Sequence, residues 1–337
     1  MEAAVRQGSG LFCSVAGTGK LESEVDVQLK YPFSGKGFFD DTWLAFLGLA
    51  LMWGTSFLFI KVALETLHPL TLVGFRLLIG WLALGVIIKW RGLVMPASWT
   101  IWRPLLILGL VNTALPFVLI TWGESGDNGV SSGMASVLNS TVPLFSIFLS
   151  GLILRREEVT TGTMFGLFVG FGGVVLLLSR RLGWTWDGLL PPAAIILAAF
   201  CYASGSAYAR ARLRQVGPVV SAFGQLFVAD LFVWAAAFLF DDFHGQRLTW
   251  STVGALLWLG VLGSCLAYIC YFFILQRWGA TRTTLVTYLL PVVGVSAGVM
   301  FLGEQADWRL LVGGLLILSG VGAVNWRPRP KISANSD

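Results

Sequence analysis

WLAFLGLALMWGTSFLFIKVAL, residues 43–64, carries a single charge in 22 positions, Lys61 near its end. About 20 apolar residues in an α-helix, rising 1.5 Å each, cross a hydrocarbon core of about 30 Å. A barrel strand would alternate apolar with polar residues over about half that length. The stretch therefore reads as a membrane-spanning helix. Nine more of the same kind follow, at 70–89, 104–122, 132–154, 162–179, 189–209, 218–240, 252–275, 283–302 and 308–326. The connections between them are too short for a soluble domain.

Composition agrees. Of 337 residues 56% are hydrophobic and 12% charged, with a mean hydropathy of +0.76. Soluble chains carry about 25% charged residues, so a soluble enzyme, a disordered chain and a secreted disulfide scaffold are all excluded. Cys13, Cys201, Cys265 and Cys270 lack metal-ligand spacing, and three of them lie in apolar runs as expected of buried thiols. No metal or cofactor is expected. His68 and His244 fall in connections and read as solvated. Residues 1–42 are polar and read as a mobile cytoplasmic tail, and 327–337 as a second one.

The basic residues set the orientation, because Lys and Arg gather on the cytoplasmic side. With the N-terminus inside, the inner segments hold Arg6, Lys20, Lys30, Lys36, Lys89, Arg91, Arg103, Arg155, Arg156, Arg210, Arg212, Arg214, Arg277, Arg282, Arg327, Arg329 and Lys331. The outer segments hold Arg180, Arg181, Arg247 and Arg309. One helix more or fewer would destroy this bias. The net charge of +5 thus reflects membrane orientation and not nucleic-acid binding.

The chain also repeats. Glu157, Gly166 and Gly173 recur as Glu304, Gly313 and Gly320 at the same spacing, and His68-Pro69 before the second span echoes Gly217-Pro218 before the seventh. Pro143 and Pro291 correspond after a one-residue slip. Five helices per half is an odd number, so the halves must lie oppositely in the bilayer. Inverted repeats recur in secondary transporters, whose substrate sits near the midplane between the halves.

Trp53-Gly54-Thr55-Ser56-Phe57 through Lys61, followed by His68-Pro69 and Phe75-Arg76, resembles the opening of the EamA family of the drug/metabolite transporter superfamily. Arg277-Trp278-Gly279-Ala280-Thr281 through Tyr288-Leu289-Leu290-Pro291, then Gly303-Glu304, Gly313 and Gly320, is similar to that family's closing motif. The resemblance implies an all-α membrane protein of ten helices in two inverted five-helix repeats, at 43–179 and 189–326. It also implies export of small metabolites, commonly amino acids and their derivatives, through a cavity lined by helices 1, 3, 4, 6, 8 and 9.

Unpaired polar groups in hydrocarbon are costly, so midplane polar residues face another helix or a wet cavity. Trp53, Thr55, Asn112, Asn139, Tyr202, Tyr268 and Tyr288 are the cavity candidates. Asp230 lies near mid-bilayer, where a carboxylate costs about 2.5–3.5 kcal/mol. It is the coupling candidate, with hydrogen bonding to a neighbouring helix as the plainer role. Arg76 either contacts a solute anion or fixes a helix end. Lys61 reads as snorkelling to the headgroups. Pro116, Pro143 and Pro291 free backbone carbonyls where helices break. Gly162, Gly166 and Gly170, with Gly313 and Gly320, form smooth packing faces. Whether their seam lies within one chain or between two chains of a homodimer stays open.

The expectation is a transporter in the inner membrane, both termini cytoplasmic, passing small solutes by alternating access without nucleotide hydrolysis. Nucleotide sugars and cationic drugs are the alternative cargo. An intramembrane enzyme or a scaffold is the alternative of another class, and the sequence lacks HExxH, a nucleophile elbow and any His/Cys/carboxylate cluster.

Overall fold

A computed structural model describes residues 41–149, 160–179, 186–213, 216–283 and 286–325. The tails expected at 1–42 and 327–337 lie outside these residues, save Asp41 and Thr42, which begin the first helix. Glu157 of the repeat also lies outside them, as do the basic residues of those segments.

Ten helical segments appear among the described residues. They are α1 (Asp41–Leu64), α2 (Pro69–Trp90), α3 (Trp99–Glu124), α4 (Ser132–Asn139, then Val142–Ile147), α5 (Thr161–Leu178) and α6 (Trp186–Arg212). After them come α7 (Pro218–Phe240), α8 (250–283), α9 (Val286–Leu302) and α10 (Trp308–Asn325). Seven are long and apolar enough to cross a membrane, and α9 and α10 are shorter apolar helices. The outer faces carry exposed Phe165, Phe168, Val175, Phe238, Leu239 and Leu315, a surface suited to lipid and not to water. Exposed Trp43, Trp90 and Trp99 mark one membrane boundary, and Trp122, Trp250 and Trp308 the other.

Helix pairing exposes the symmetry. α2 packs on α7, α4 on α9 and α5 on α10, while α1 packs on α8 and α6 on α3. Advancing every label by five returns the same set of pairs. A helix and its mate run in opposite directions, so the relating two-fold axis lies in the membrane plane.

The side chains confirm the relation. Trp81 lies twelve residues after Pro69, and Asp230 twelve after Pro218. These mates touch: the Trp81 indole donates to Asp230 Oδ2 at 2.8 Å. Mates can meet only near the axis. Around them, a Cβ added to Gly74 would lie 2.8 Å from the Trp234 ring, and one on Gly85 would lie 3.3 Å from Phe223. In this register Gly74 corresponds to Phe223 and Gly85 to Trp234, so one ring-on-glycine contact occurs twice.

The α5–α10 seam repeats the pattern. A Cβ on Gly320 would sit 2.5 Å from the Gly166 carbonyl, and one on Gly173 would sit 2.6 Å from that of Gly313. Gly170 joins them, lying 2.6 Å from the same Gly320 position. These faces pair within one chain. Gly162 stands apart, with Thr160 Oγ1 at 3.7 Å as its sole near neighbour.

On α9, Pro291 cannot bond the Thr287 carbonyl. The Ser140 hydroxyl of α4 lies 3.3 Å from that carbonyl and 2.9 Å from Ser136 O, sharing its proton between them. The three prolines differ in effect. Pro143 opens the second piece of α4 after a break at Ser140–Thr141, Pro116 opens Leu115–Glu124 after a π-helical stretch, and Pro291 sits within an unbroken helix.

Carboxylates of the second half cap helices of the first. Glu304 accepts from the Ser132 N–H at 2.7 Å, the Ser132 hydroxyl at 3.0 Å and the Gly133 N–H at 3.1 Å, meeting the positive end of α4. Asp241 likewise accepts from the Thr71 N–H and hydroxyl at 2.8 and 2.7 Å on α2. In the exposed α7–α8 turn the His244 backbone N–H and ring hold the Asp242 carboxyl below its usual range.

Gly320→Leu should drive α10 from α5 and lower the thermal midpoint of purified protein in detergent, since overpacking costs about 1–3 kcal/mol. Gly162→Ala should leave that midpoint unchanged.

Candidate functional site

Two π-helical stretches occupy equivalent helices, Gly109–Ala114 in α3 and Trp258–Leu266 in α8. Such bulges often mark functional sites. Each faces the symmetric partner of the other's neighbour: the α3 bulge packs on α7, and the α8 bulge on α2. Arg76 and Gln225, both seven residues after the proline opening their helices, are the mates that hold them. Gln225 accepts from Asn112 Nδ2 at 3.1 Å and donates towards Ser221 O and Oγ at 3.3 and 3.2 Å. Arg76 Nε donates to Ser264 Oγ at 3.3 Å, its single hydrogen bond among the described residues.

Arg76 is therefore a buried cation, 6% exposed, with most of its five donors unmatched. Its guanidinium stacks over the Phe117 ring at 4.0 Å from the centroid. Tyr202 of α6, Tyr268 of α8 and Glu124 of α3 are the titratable groups near it. Gly263 lies against it, with Arg76 Nη2 3.8 Å and Ser56 Oγ 2.9 Å from where a Cβ would stand.

Glu124 ends α3 and is 1% exposed. Both its carboxyl oxygens are buried without a hydrogen-bond partner among the described residues. Lys61, Glu304 and Arg76 are its charged neighbours. The snorkelling expected of Lys61 is not its geometry: Nζ donates to the Glu124 backbone carbonyl at 2.7 Å. The turn beyond Glu124 folds back tightly, with Val130 N–H on Gly123 O at 2.8 Å.

The predicted residues fall into groups. Arg76, Tyr202, Tyr268 and Asn112 converge on the two bulges. Trp53 packs against Tyr271 at 5.7 Å between ring centroids, and the Thr55 hydroxyl accepts from the Trp258 indole at 3.1 Å, tying α1 to α8. Asn139 ends the first piece of α4 with Oδ1 buried and unpartnered. Tyr288 turns elsewhere: its hydroxyl lies 3.8 Å from a Cβ position on Gly322 of α10. Asp230, 5% exposed, lies on the α2–α7 crossing, with one oxygen on Trp81 and the other unpartnered. Glu124 and Gln225 were missed by sequence reading. Glu124 lies at a span's end, where a carboxylate normally reads as solvated, and Gln225 becomes visible only when the repeat register is carried to Arg76.

A model of the EamA-like transporter family matches residues 42–179 and again 191–326, one copy in each half. The chain belongs to the EamA-like transporter family. An uncharacterized transporter of Archaeoglobus fulgidus is 24% identical over 285 residues, covering 83% of this chain and 96% of its own. YedA of Escherichia coli K12, an uncharacterized inner membrane transporter, is 27% identical over 282 residues, 79% of this chain and 86% of its own. One solved crystal structure superimposes on 84% of this EamA-like chain and 96% of its own, with a TM-score of 0.61 and 19% identity. That likeness concerns the fold. The EamA-like transporter thus holds its buried charges where its two copies of the family unit meet.

Trp81→Phe should remove the donor to Asp230 Oδ2 and lower the thermal midpoint, at a cost of about 1–3 kcal/mol. Adding Asp230→Leu should recover part of that loss, because an unpaired buried polar group is worse than an apolar one. Simple additivity of the two changes would contradict this reading of the crossing.

Proposed function

We propose that this EamA-like transporter exports, or passes down a gradient, small amphipathic metabolites, specifically amino acids or their derivatives, by alternating access. What supports the reading is Arg76: a permanently charged, buried guanidinium with unmatched donors, set among the aromatic rings of Phe117, Tyr202 and Tyr268. A planar fork of donors beside apolar surface suits a carboxylate carried on an apolar body. The paired π bulges give each half a place to flex where it meets the other.

The membrane is the cytoplasmic one in this reading, with both termini inside, as the Lys and Arg bias favours. Asp230 is the coupling candidate, because its second oxygen is unpartnered at the crossing about which the halves would rock.

Counterflow in proteoliposomes tests the proposal without a known coupling ion. Vesicles preloaded with each unlabelled amino acid should take up the same labelled compound for at least one member of the panel. Asp230→Asn should keep counterflow and lose gradient-driven uptake. Silence of well-folded wild type across the panel would sink the amino-acid assignment, and loss of both activities in Asp230→Asn would sink the coupling role alone.

A further inference from the structure

Buried polar atoms without partners are rare, and each calls for an explanation. They cluster here on α3, where Asn112 Oδ1, Thr121 Oγ1 and both Glu124 carboxylate oxygens are buried and unpartnered. Phe117, Thr121 and Glu124 follow at intervals of four and three, so they share one face of that helix. Arg76 lies over Phe117 at one end of this face, and Glu124 stands at the other. Seven residues of helix rise about 10 Å. Side chains of one helix lean the same way, so the Phe117 ring and the Glu124 carboxyl keep about that spacing.

Neither group has its hydrogen bonds met among the described residues. Lys61, the first of the charges acting on Glu124, donates a hydrogen bond to its backbone carbonyl at 2.7 Å and fixes the helix end, while the carboxyl oxygens have no hydrogen-bond partner among the described residues. Glu304, the competing anion, is already engaged by three donors on α4. Ser264 offers Arg76 one long bond. An arginine with spare donors and a carboxylate with no donor thus face one helical strip, with a hydroxyl, Thr121, between them.

We infer that Arg76 and Glu124 are the two poles of a binding site for a dipolar solute bearing both a carboxylate and an ammonium group. The inference rests on the reading that solute passes between the halves at this cluster. Arg76 takes the carboxylate through its unmatched N–H groups, and Glu124 accepts from the ammonium. Phe117, Tyr202 and Tyr268 receive the apolar body. A solute with one charge would leave the opposite pole buried and unpaired, a costly arrangement that a site built for two charges rejects strongly. Glu124 is on this account the specificity-determining residue, and Asp230 lies outside the site.

The test uses counterflow of labelled L-leucine in proteoliposomes, with two competitors: 4-methylpentanoate, which lacks the ammonium, and 3-methylbutan-1-amine, which lacks the carboxylate. Wild type should prefer leucine to either by about tenfold or more. Glu124→Gln should weaken leucine by about tenfold and leave competition by 4-methylpentanoate within about twofold, collapsing the preference between them. Arg76→Gln should do the mirror image with the amine. Should either glutamine variant fail to elute as a single species, Glu124→Met and Arg76→Met, which also remove the charge, read the same ratios. An unchanged ratio in the Glu124 variant, or an equal loss for leucine and its deaminated analogue, would overturn the assignment while leaving amino-acid transport standing. No wild-type counterflow with any amino acid would overturn both.

Discussion

The crossing of α2 and α7 is the contact on which the rest of the molecule depends. Mates of a two-fold repeat can touch only near its axis, and here Trp81 meets Asp230. The meeting is chemically apt: an indole offers one donor and no acceptor, and a carboxylate needs a donor in hydrocarbon. Glycines beside Trp234 and Phe223 let the two helices close around the pair. Beside this crossing, the α4–α9 and α5–α10 contacts also close through small residues, at α5–α10 as a reciprocal pair, Gly166 on Gly320 and Gly173 on Gly313. α1 and α6 then pair with α8 and α3 by necessity. Close approach in a bilayer comes from small residues and shared hydrogen bonds, since lipid supplies no hydrophobic drive between helices.

Symmetry builds the frame, and departures from it supply chemistry. Gln225 completes its bonds to Asn112 and Ser221, whereas its mate Arg76 completes one. A neutral amide in that position is structural glue. A guanidinium there keeps N–H groups without a partner among the described residues. Glu124 sharpens the imbalance, for it places a carboxyl without hydrogen-bond partners among the described residues on the same helix face as the ring that carries Arg76. Lys61 and Glu124 thus stand together near the turns that follow α1 and α3.

Much of this was legible in the sequence. Ten apolar stretches of membrane length, the Glu/Gly register and the proline-led starts of α2 and α7 carry the fold, because hydropathy and helix-start chemistry are local properties. The same register, pushed one step further, pairs Trp81 with Asp230 and Arg76 with Gln225. What local reading lacks is direction. Lys61 looks able to reach the headgroups and instead turns to the end of α3, since a free carbonyl lies nearer than water. Glu124 looks like a loop carboxylate because the turn that buries it, 125–131, is polar and rich in glycine. Tyr288 looks midplane and faces α10, because depth along a helix says nothing of azimuth. Gly162 matches the four-residue period of its neighbours yet lies beyond the crossing.

The central claim is that the strip of α3 between Phe117 and Glu124 is reached alternately from the two sides of the membrane. Thr121 sits in its middle, buried and unpartnered. The direct measurement places a lone cysteine there, Thr121→Cys, in a background with Cys13, Cys201, Cys265 and Cys270 replaced by alanine. It is then labelled with a membrane-impermeant thiol reagent in right-side-out and in inside-out vesicles. Labelling from both sides, slowed in both by the transported solute, is the predicted result. Labelling from one side alone, or labelling indifferent to any solute that the protein moves, would contradict the account.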